Sequence, residues 1–326
     1  MFSTDPSLAP PIGTASPVPD EIGTFALADL SGSPGWRRPV IVDRELLILT
    51  TRGHGDAELD FNLLPCRPGT LLRVRAGQVL RCAGRQFDAT VVAWEPEALR
   101  GFGVELDTPV TWRQLAGEDE DAVISEVSQL AVDCQRHPDS PTARALLRHQ
   151  LAVLLLRLAL ANADRSTPRP EDETFHRFRR EVEHGYPHTR RVEDYAASLR
   201  CSVRTLTRAC LAVTGRSAKQ VIDERVALQA GRLLAATDQP IAQIGRHLGF
   251  SEPTNFGRFF TREIGVSPGA FRAARDQPTA RVVRPRPPTE PTGANGGRIG
   301  TGGTTNGGHA TQPGSPIAPT GGTGRA

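Results

Sequence analysis

Residues 240–272 read PIAQIGRHLGFSEPTNFGRFFTREIGVSPGAFR, and the punctuation of that stretch sets the architecture of the C-terminal third of the chain. Pro240 falls where the first position of a short helix belongs, and Ile241, Ile244 and Leu248 share one face at helical spacing. Gly249 ends that helix as the residue best suited to a left-handed cap. Ser251 or Glu252 then caps a second helix, opened by Pro253 and closed before Gly265. Two short helices joined by a tight turn make a helix-turn-helix unit, here spanning Ile244 to Gly265.

The pattern has an earlier copy. At a shift of fifty, Leu206 aligns with Phe256, Arg208 with Arg258, Cys210 with Phe260, Gly215 with Gly265 and Ser217 with Ser267; Leu199 aligns with Leu248 at a shift of forty-nine. The one-residue difference falls in the turn, where insertions are tolerated. This first unit runs from Tyr195 to Gly215: Val192, Tyr195, Ala196 and Leu199 form the apolar face, Arg200-Cys201 the turn, and Ser202 the N-cap of a helix from Val203 to Val213. Between the units, Ala218 to Ala236 reads as one long helix with Ile222, Val226, Ala230, Leu233 and Leu234 on a single face. Such a helix holds the two units at a fixed separation.

Working back toward the N-terminus, Ala163 to Glu171 is polar with two prolines and reads as a linker over 164–171. Before it, Val123, Ile124, Val127, Leu130, Ala131 and Cys134 mark one amphipathic helix. Leu146, Leu147, Leu151, Leu154, Leu155 and Leu158 mark a second, across a turn from Arg136 to Pro141. Val153, Leu156 and Leu160 make the second helix apolar on nearly every side, so this hairpin, assigned to 111–163, is expected to meet a second copy of the chain. Residues 22–110 show short apolar runs, VIV (40–42), LLILT (46–50), ELDFNLL (58–64), TLLRVRAG (70–77), QVLRC (78–82) and FDATVVAW (87–94), separated by Gly and Pro turns, as in an antiparallel β-barrel or sandwich. Residues 1–21 and the Gly, Thr and Pro-rich tail 277–326 lack a core-forming pattern and read as disordered.

Charge divides along the same lines. The formal net charge is +3, yet residues 1–171 hold about 17 Arg against 23 acids, while 172–276 hold about 17 Arg and Lys against 12 acids. A polyanion partner suits the basic part, and double-stranded DNA is the expected one. No run of about 18 apolar residues and no basic-then-apolar leader occurs, so neither a membrane span nor a secretory signal is expected, and the chain reads as cytoplasmic. The five scattered cysteines, with no C-x-x-C and no His at zinc spacing, read as reduced core residues.

The residues Arg225-Val226-Ala227-Leu228-Gln229-Ala230, Leu233-Leu234, Pro240 to Gly245, Leu248-Gly249-Phe250-Ser251, Asn255 to Phe260 and Gly265 to Arg272 resemble the signature of the AraC/XylS transcription regulators. The resemblance covers 172–276 firmly and the N-terminal part loosely, as the cupin-like effector domain many members carry. It implies a multidomain α and β chain: an N-terminal cupin-like β-barrel with a helical hairpin, and a C-terminal all-α domain with two helix-turn-helix units. Departures are Cys210 for a usual Phe, Val226 for Leu and Gly245 for Ala. The first two shrink the core and the third weakens its helix by about 1 kcal/mol at most, so the first unit is expected to be the less stable.

By position in this resemblance, Arg204, Thr207 and Arg208 of the first unit and Thr254, Asn255, Gly257 and Arg258 of the second face the major groove. Arginine pairs bidentately with guanine and Asn255 with adenine, each such contact discriminating by roughly 1–3 kcal/mol; the alternative for any of these arginines is a phosphate contact. The two recognition helices are expected in successive major grooves about 34 Å apart. RNA polymerase, a small-molecule effector and a second copy of the chain are the further partners implied; the regulatory role, as activator or otherwise, follows from the resemblance and not from the residues.

For the N-terminal domain, Pro68 to Leu80 is similar to a cupin strand-turn-strand, but Leu80 stands where a His often follows Gly-Gln. His54 reads as a loop or core residue, Asp56, Glu58 and Asp60 alternate as a solvated strand face, and no metal site, cofactor or catalytic residue is expected. Within this domain G-x-S-x-G and phosphate-binding glycine motifs are absent. A metal-dependent cupin enzyme and an N-terminal part that only dimerises are the rival readings to an effector sensor.

Overall fold

The computed structural model describes residues 22–30, 36, 38–82, 87–104, 111–136, 140–163 and 170–276. The expectations for 1–21, for most of the linker (164–169) and for the tail lie outside the described residues.

Nine strands are described: β1 Ile22–Ala26, β2 Val40–Ile41, β3 Glu45–Gly53, β4 Gly55–Leu59, β5 Asn62–Cys66, β6 Thr70–Val74, β7 Val79–Cys82, β8 Phe87–Trp94 and β9 Trp112–Gln114. They form two antiparallel sheets, ordered β1-β8-β3-β6-β9 and β2-β7-β4-β5. The sheets do not close on each other, so the expected barrel is an open sandwich. The reason lies at Arg52 to Gly55: β3 pairs with β6 and β8, whereas β4, which follows it directly, pairs with β5 and β7. A barrel needs one continuous ladder. The five-stranded sheet takes in 112–114, residues grouped above with the helical hairpin.

The run in β3 is apolar without alternation because both of its faces are covered. Leu46 and Ile48 point between the sheets with Ala57, Leu59, Leu72, Leu80, Val91 and Ala93, while Leu47 and Leu49 point outward with Leu71, Val92 and Trp94. Two helices, α1 Glu118–Arg136 and α2 Pro141–Ala163, cover that outer face with Val123, Val127, Leu130, Leu147, Leu151, Leu154 and Leu155. Leu146 and Ile124, expected on the inward faces, are 47% and 40% exposed, and Val153, Leu156 and Leu160 are exposed too.

The run ELDFNLL is a hairpin and not one strand. Leu59 pairs with Asn62, leaving Asp60 (φ 47°) and Phe61 (φ 69°) as a two-residue turn. Positive φ at both central residues is what a tight hairpin turn requires, and for a bulky residue it costs on the order of 1 kcal/mol. The expected solvated row of acids is likewise corrected. Asp56 is exposed, but Glu58 is buried against Arg81 (2.7 Å) and Arg275, and Asp60 sits in the turn. His54 lies exposed in the β3–β4 connection. All five cysteines are free, and burial pushes the thiols of Cys66 and Cys210 up to about 11 and Cys82 up to about 12.

The helical part comprises α3 Pro170–Gly185, α4 Val192–Ser198, α5 Val203–Thr214, α6 Ala218–Ala236, α7 Ile241–His247, α8 Pro253–Ile264 and α9 Pro268–Arg275. Its core gathers Phe178, Leu206, Cys210, Ile222, Val226, Ala230, Leu234, Ile244, Leu248, Phe256 and Phe260, with α6 packed against every other helix of this part.

Candidate nucleic-acid interface

Each helix-turn-helix unit is built by local chemistry on α6. In the first, the Ser202 hydroxyl accepts the Thr205 N–H at 3.0 Å and starts α5, which Gly215 ends at φ 69°. In the second, Pro240 is the N-cap and not the first helical residue, Gly249 turns the chain at φ 78°, and Glu252 precedes Pro253 without a side-chain cap. Ser217 begins α6 with a reciprocal capping box to Gln220, which pins its start beside the end of α5.

Burial alternates sharply along the two recognition helices. On α5, Leu206, Ala209 and Cys210 face the core, while Arg204 and Arg208 are exposed and Thr207 is half-buried. On α8, Phe256, Phe259 and Phe260 face inward, while Thr254, Asn255 and Arg258 are exposed and Gly257 is half-buried. The residues singled out from the sequence therefore stand on the outward faces of two helices that share one support. Among the described residues, Arg204, Arg208 and Arg258 form no ion pair. Free guanidinium groups on a convex helix face suit phosphate oxygens or guanine edges.

The two units are not independent. The backbone before α4 lies against the turn of the second unit, where the Arg190 guanidinium stacks 3.8 Å from the Phe250 ring centroid and donates to the Gly249 carbonyl at 3.4 Å. Burial lowers the Arg190 pKa. Arg190 escaped the sequence reading because its partners lie about sixty residues away and no periodicity marks it. A cleft of about 850 Å³ opens beside it, lined by Lys219, Asp223, Asn255, Arg258 and Arg262 among others. Asp223 is clasped there by Lys219 and, at 3.6 Å, by Arg262, so part of that basic charge is already neutralised.

Gly245 has a structural reason. A Cβ there would meet Cβ and Cγ of Phe256 at 3.0 Å, so the missing side chain lets α7 lie close to α8. The weakening expected of this glycine is thus tied to a closer helix contact.

Residues 195–274 match the family model described as a helix-turn-helix domain. The HTH-type transcriptional activator RhaS of Klebsiella pneumoniae is 25% identical over 174 residues, 53% of this chain and 60% of that protein. The arabinose operon regulatory protein of Escherichia coli is 42% identical over 55 residues, 17% of this chain and 18% of that protein. The chain thus spans less than two thirds of these curated relatives. Among solved structures, the DNA-binding domain of AdpA in complex with a target DNA is 32% identical, covering 33% of this chain and 93% of that one with a TM-score of 0.29. ToxT from Vibrio cholerae O395 is 12% identical, covering 78% and 94% with a TM-score of 0.40. Among the described residues no helix is long and apolar enough to cross a membrane. Residues 195–274 thus form a helix-turn-helix domain, and in sequence the chain is similar to the transcriptional activator RhaS and, over 55 residues, to the arabinose operon regulatory protein.

Proposed function

We propose that this chain is a ligand-responsive, sequence-specific DNA-binding transcription regulator, not an enzyme, which reads two adjacent major-groove segments with α5 and α8. The observation that carries the reading is the pair of outward faces, Arg204, Thr207 and Arg208 on one helix and Thr254, Asn255 and Arg258 on the other, both mounted on α6. Because one chain presents both helices, an asymmetric site of two successive grooves suffices, without a palindrome. The first unit reads through arginines and the second through Asn255 and Arg258. Arg190, Lys219 and Gln220 line the cleft beside Asn255 and Arg258 of α8 and supply phosphate-side contacts that hold register.

A small-molecule effector, RNA polymerase and a second copy of the chain are the partners this assignment adds. The second copy is supported by α2, where Leu146, Val153 and Leu160 repeat every seven residues and Leu156 lies beside them, exposed by 47%, 50%, 74% and 43%. A seven-residue apolar repeat is the seam of a helix pair.

The test is a binding series on an operator with single base substitutions. Arg204→Ala, Asn255→Ala and Arg258→Ala each remove the preference at one base pair, with a loss of roughly 1–3 kcal/mol on the preferred sequence and little on the substituted one. Uniform loss across all sequences, with a reduced salt slope, assigns the residue to phosphate; unchanged affinity in all three variants defeats the reading.

A further inference from the structure

The tip of the β4–β5 hairpin belongs to two domains at once. Asp60 and Phe61 both hold positive φ, a conformation that Asn-Gly or Asp-Gly adopts without strain and that a phenylalanine keeps only when its surroundings insist. The surroundings here are helices of the DNA-binding part. Phe61 is 7% exposed and packs in the helical core, not in the sandwich. Its ring meets Phe271 of α9 edge-on, centroids 5.3 Å apart, and its Cε2 lies 3.0 Å from where a Cβ on Gly231 of α6 would be.

Charge complements shape at the same place. Asp60 accepts two hydrogen bonds from Arg232 of α6, at 2.8 and 2.7 Å, while the Val79 N–H at 3.1 Å and the Gln78 amide hold the carboxylate from the sheet side. Two residues back, Glu58 is shared between Arg81 of β7 and Arg275 of α9, and the Arg275 guanidinium lies 4.7 Å from the Phe61 ring centroid. Asp60 and Arg232 side chains are 10% and 8% exposed, and Glu58 and Arg275 5% and 4%. Two acids thus come from the sheet and two arginines from the helices, each pair buried where salt screens little.

We propose that the Asp60-Phe61 tip is an intramolecular plug seated between α6 and α9, through which the four-stranded sheet holds the two-headed reader in one placement. The consequence for regulation rests on the DNA-binding reading above, but the plug itself does not. Because α5 and α8 both pack on α6, a displacement of β4 or β7 carries the reader as a body, while the opposite sheet stays engaged with α1 and α2. A ligand that shifts the four-stranded sheet therefore acts on the orientation of the reader and not on the residues that touch DNA.

Amide hydrogen exchange on the full chain tests this with two variants made from opposite sides. Phe61→Gly installs Asp-Gly, which suits the turn better, and removes the ring; Arg232→Gln leaves the hairpin untouched and removes the ion pair. In both, exchange at 268–275 and at the C-terminal half of α6 is expected to rise about tenfold or more, with α5 exchanging as in the parent. Parent-like exchange at 268–275 in both variants overturns the plug, and so does an equal rise across α5, which marks general loosening. A chain that exchanges as expected yet binds no DNA keeps the plug and removes the DNA-binding reading.

Discussion

Arg200 and Gly249 occupy corresponding turns of the two units, and both lie in the left-handed region, at φ 53° and 78°. For glycine that conformation carries no side-chain clash; for a β-carbon-bearing residue it costs about 1–2 kcal/mol. Arg200 is exposed. Arg200→Gly is therefore expected to stabilise the first unit, by about 0.5–1 kcal/mol once the greater freedom of glycine in the unfolded chain is set against the relief. The urea midpoint of the helical part, followed by circular dichroism, measures it, and an unchanged or lower midpoint shows that the turn is not strained. The opposite case is Phe61, where the same conformation is retained because the ring is buried by another domain. The turn at Arg200-Cys201 is legible from its place between two helical patterns, whereas the turn at Asp60-Phe61 is not, since Asp-Phe inside an apolar run carries no turn signal. Arg204, Arg208, Asn255 and Arg258 were legible from the family resemblance and because the apolar pairs Leu206/Cys210 and Phe256/Phe260, four residues apart, mark the inward face of each helix and leave these four off it.

Elements assembled largely as their patterns predict. The Ala218–Ala236 helix has the expected limits, and α5 begins at the Ser202 cap. These are local decisions, made by side-chain oxygens, proline and glycine within a few residues of where they act. Where an element depends on what lies beside it, the pattern misleads. Leu146 and Ile124 are apolar but face away from the sheet, because α1 and α2 also cover each other and leave a second stripe unburied. Gly245 illustrates the sign that packing imposes on propensity. In an isolated helix Gly→Ala gains about 1 kcal/mol. Here the new Cβ meets Phe256 at 3.0 Å, and Phe256 is fully buried and wedged between Phe250 and Phe260. Gly245→Ala is thus expected to destabilise the second unit by about 1–2 kcal/mol, read as a lower melting temperature, with weaker DNA binding following from the shifted α8. A raised melting temperature would show that α7 can move aside.

On the scale of the whole molecule, the sandwich has a different neighbour on each side. Its five-stranded sheet carries α1 and α2, whose outer stripe is the proposed dimer seam, and its four-stranded sheet carries the plug against α6 and α9. Val153→Glu with Leu160→Glu places two charges in that seam without touching the inward residues Leu151, Leu154 and Leu155. Sedimentation velocity is expected to show monomers for this variant and dimers for the parent, with the melting temperature nearly unchanged; a parent that sediments as a monomer removes the dimer. The sequence by itself determined what is written within a helix or a short loop: the two units, the helix that joins them, the residues on their outward faces and the β character of the N-terminal part. Capping, turn chemistry and periodicity act over a few residues, and those distances are visible in a linear string. Only the tertiary structure decided that the two sheets stay open, that ELDFNLL bends at Asp60-Phe61, that Glu58 and Asp60 are buried against arginines, and that Arg190 bridges the units. Each of these depends on a partner far away in the chain, Arg232 for Asp60 and Phe250 for Arg190. A buried carboxylate and a solvated one look alike until the cation that pairs with it has been brought alongside.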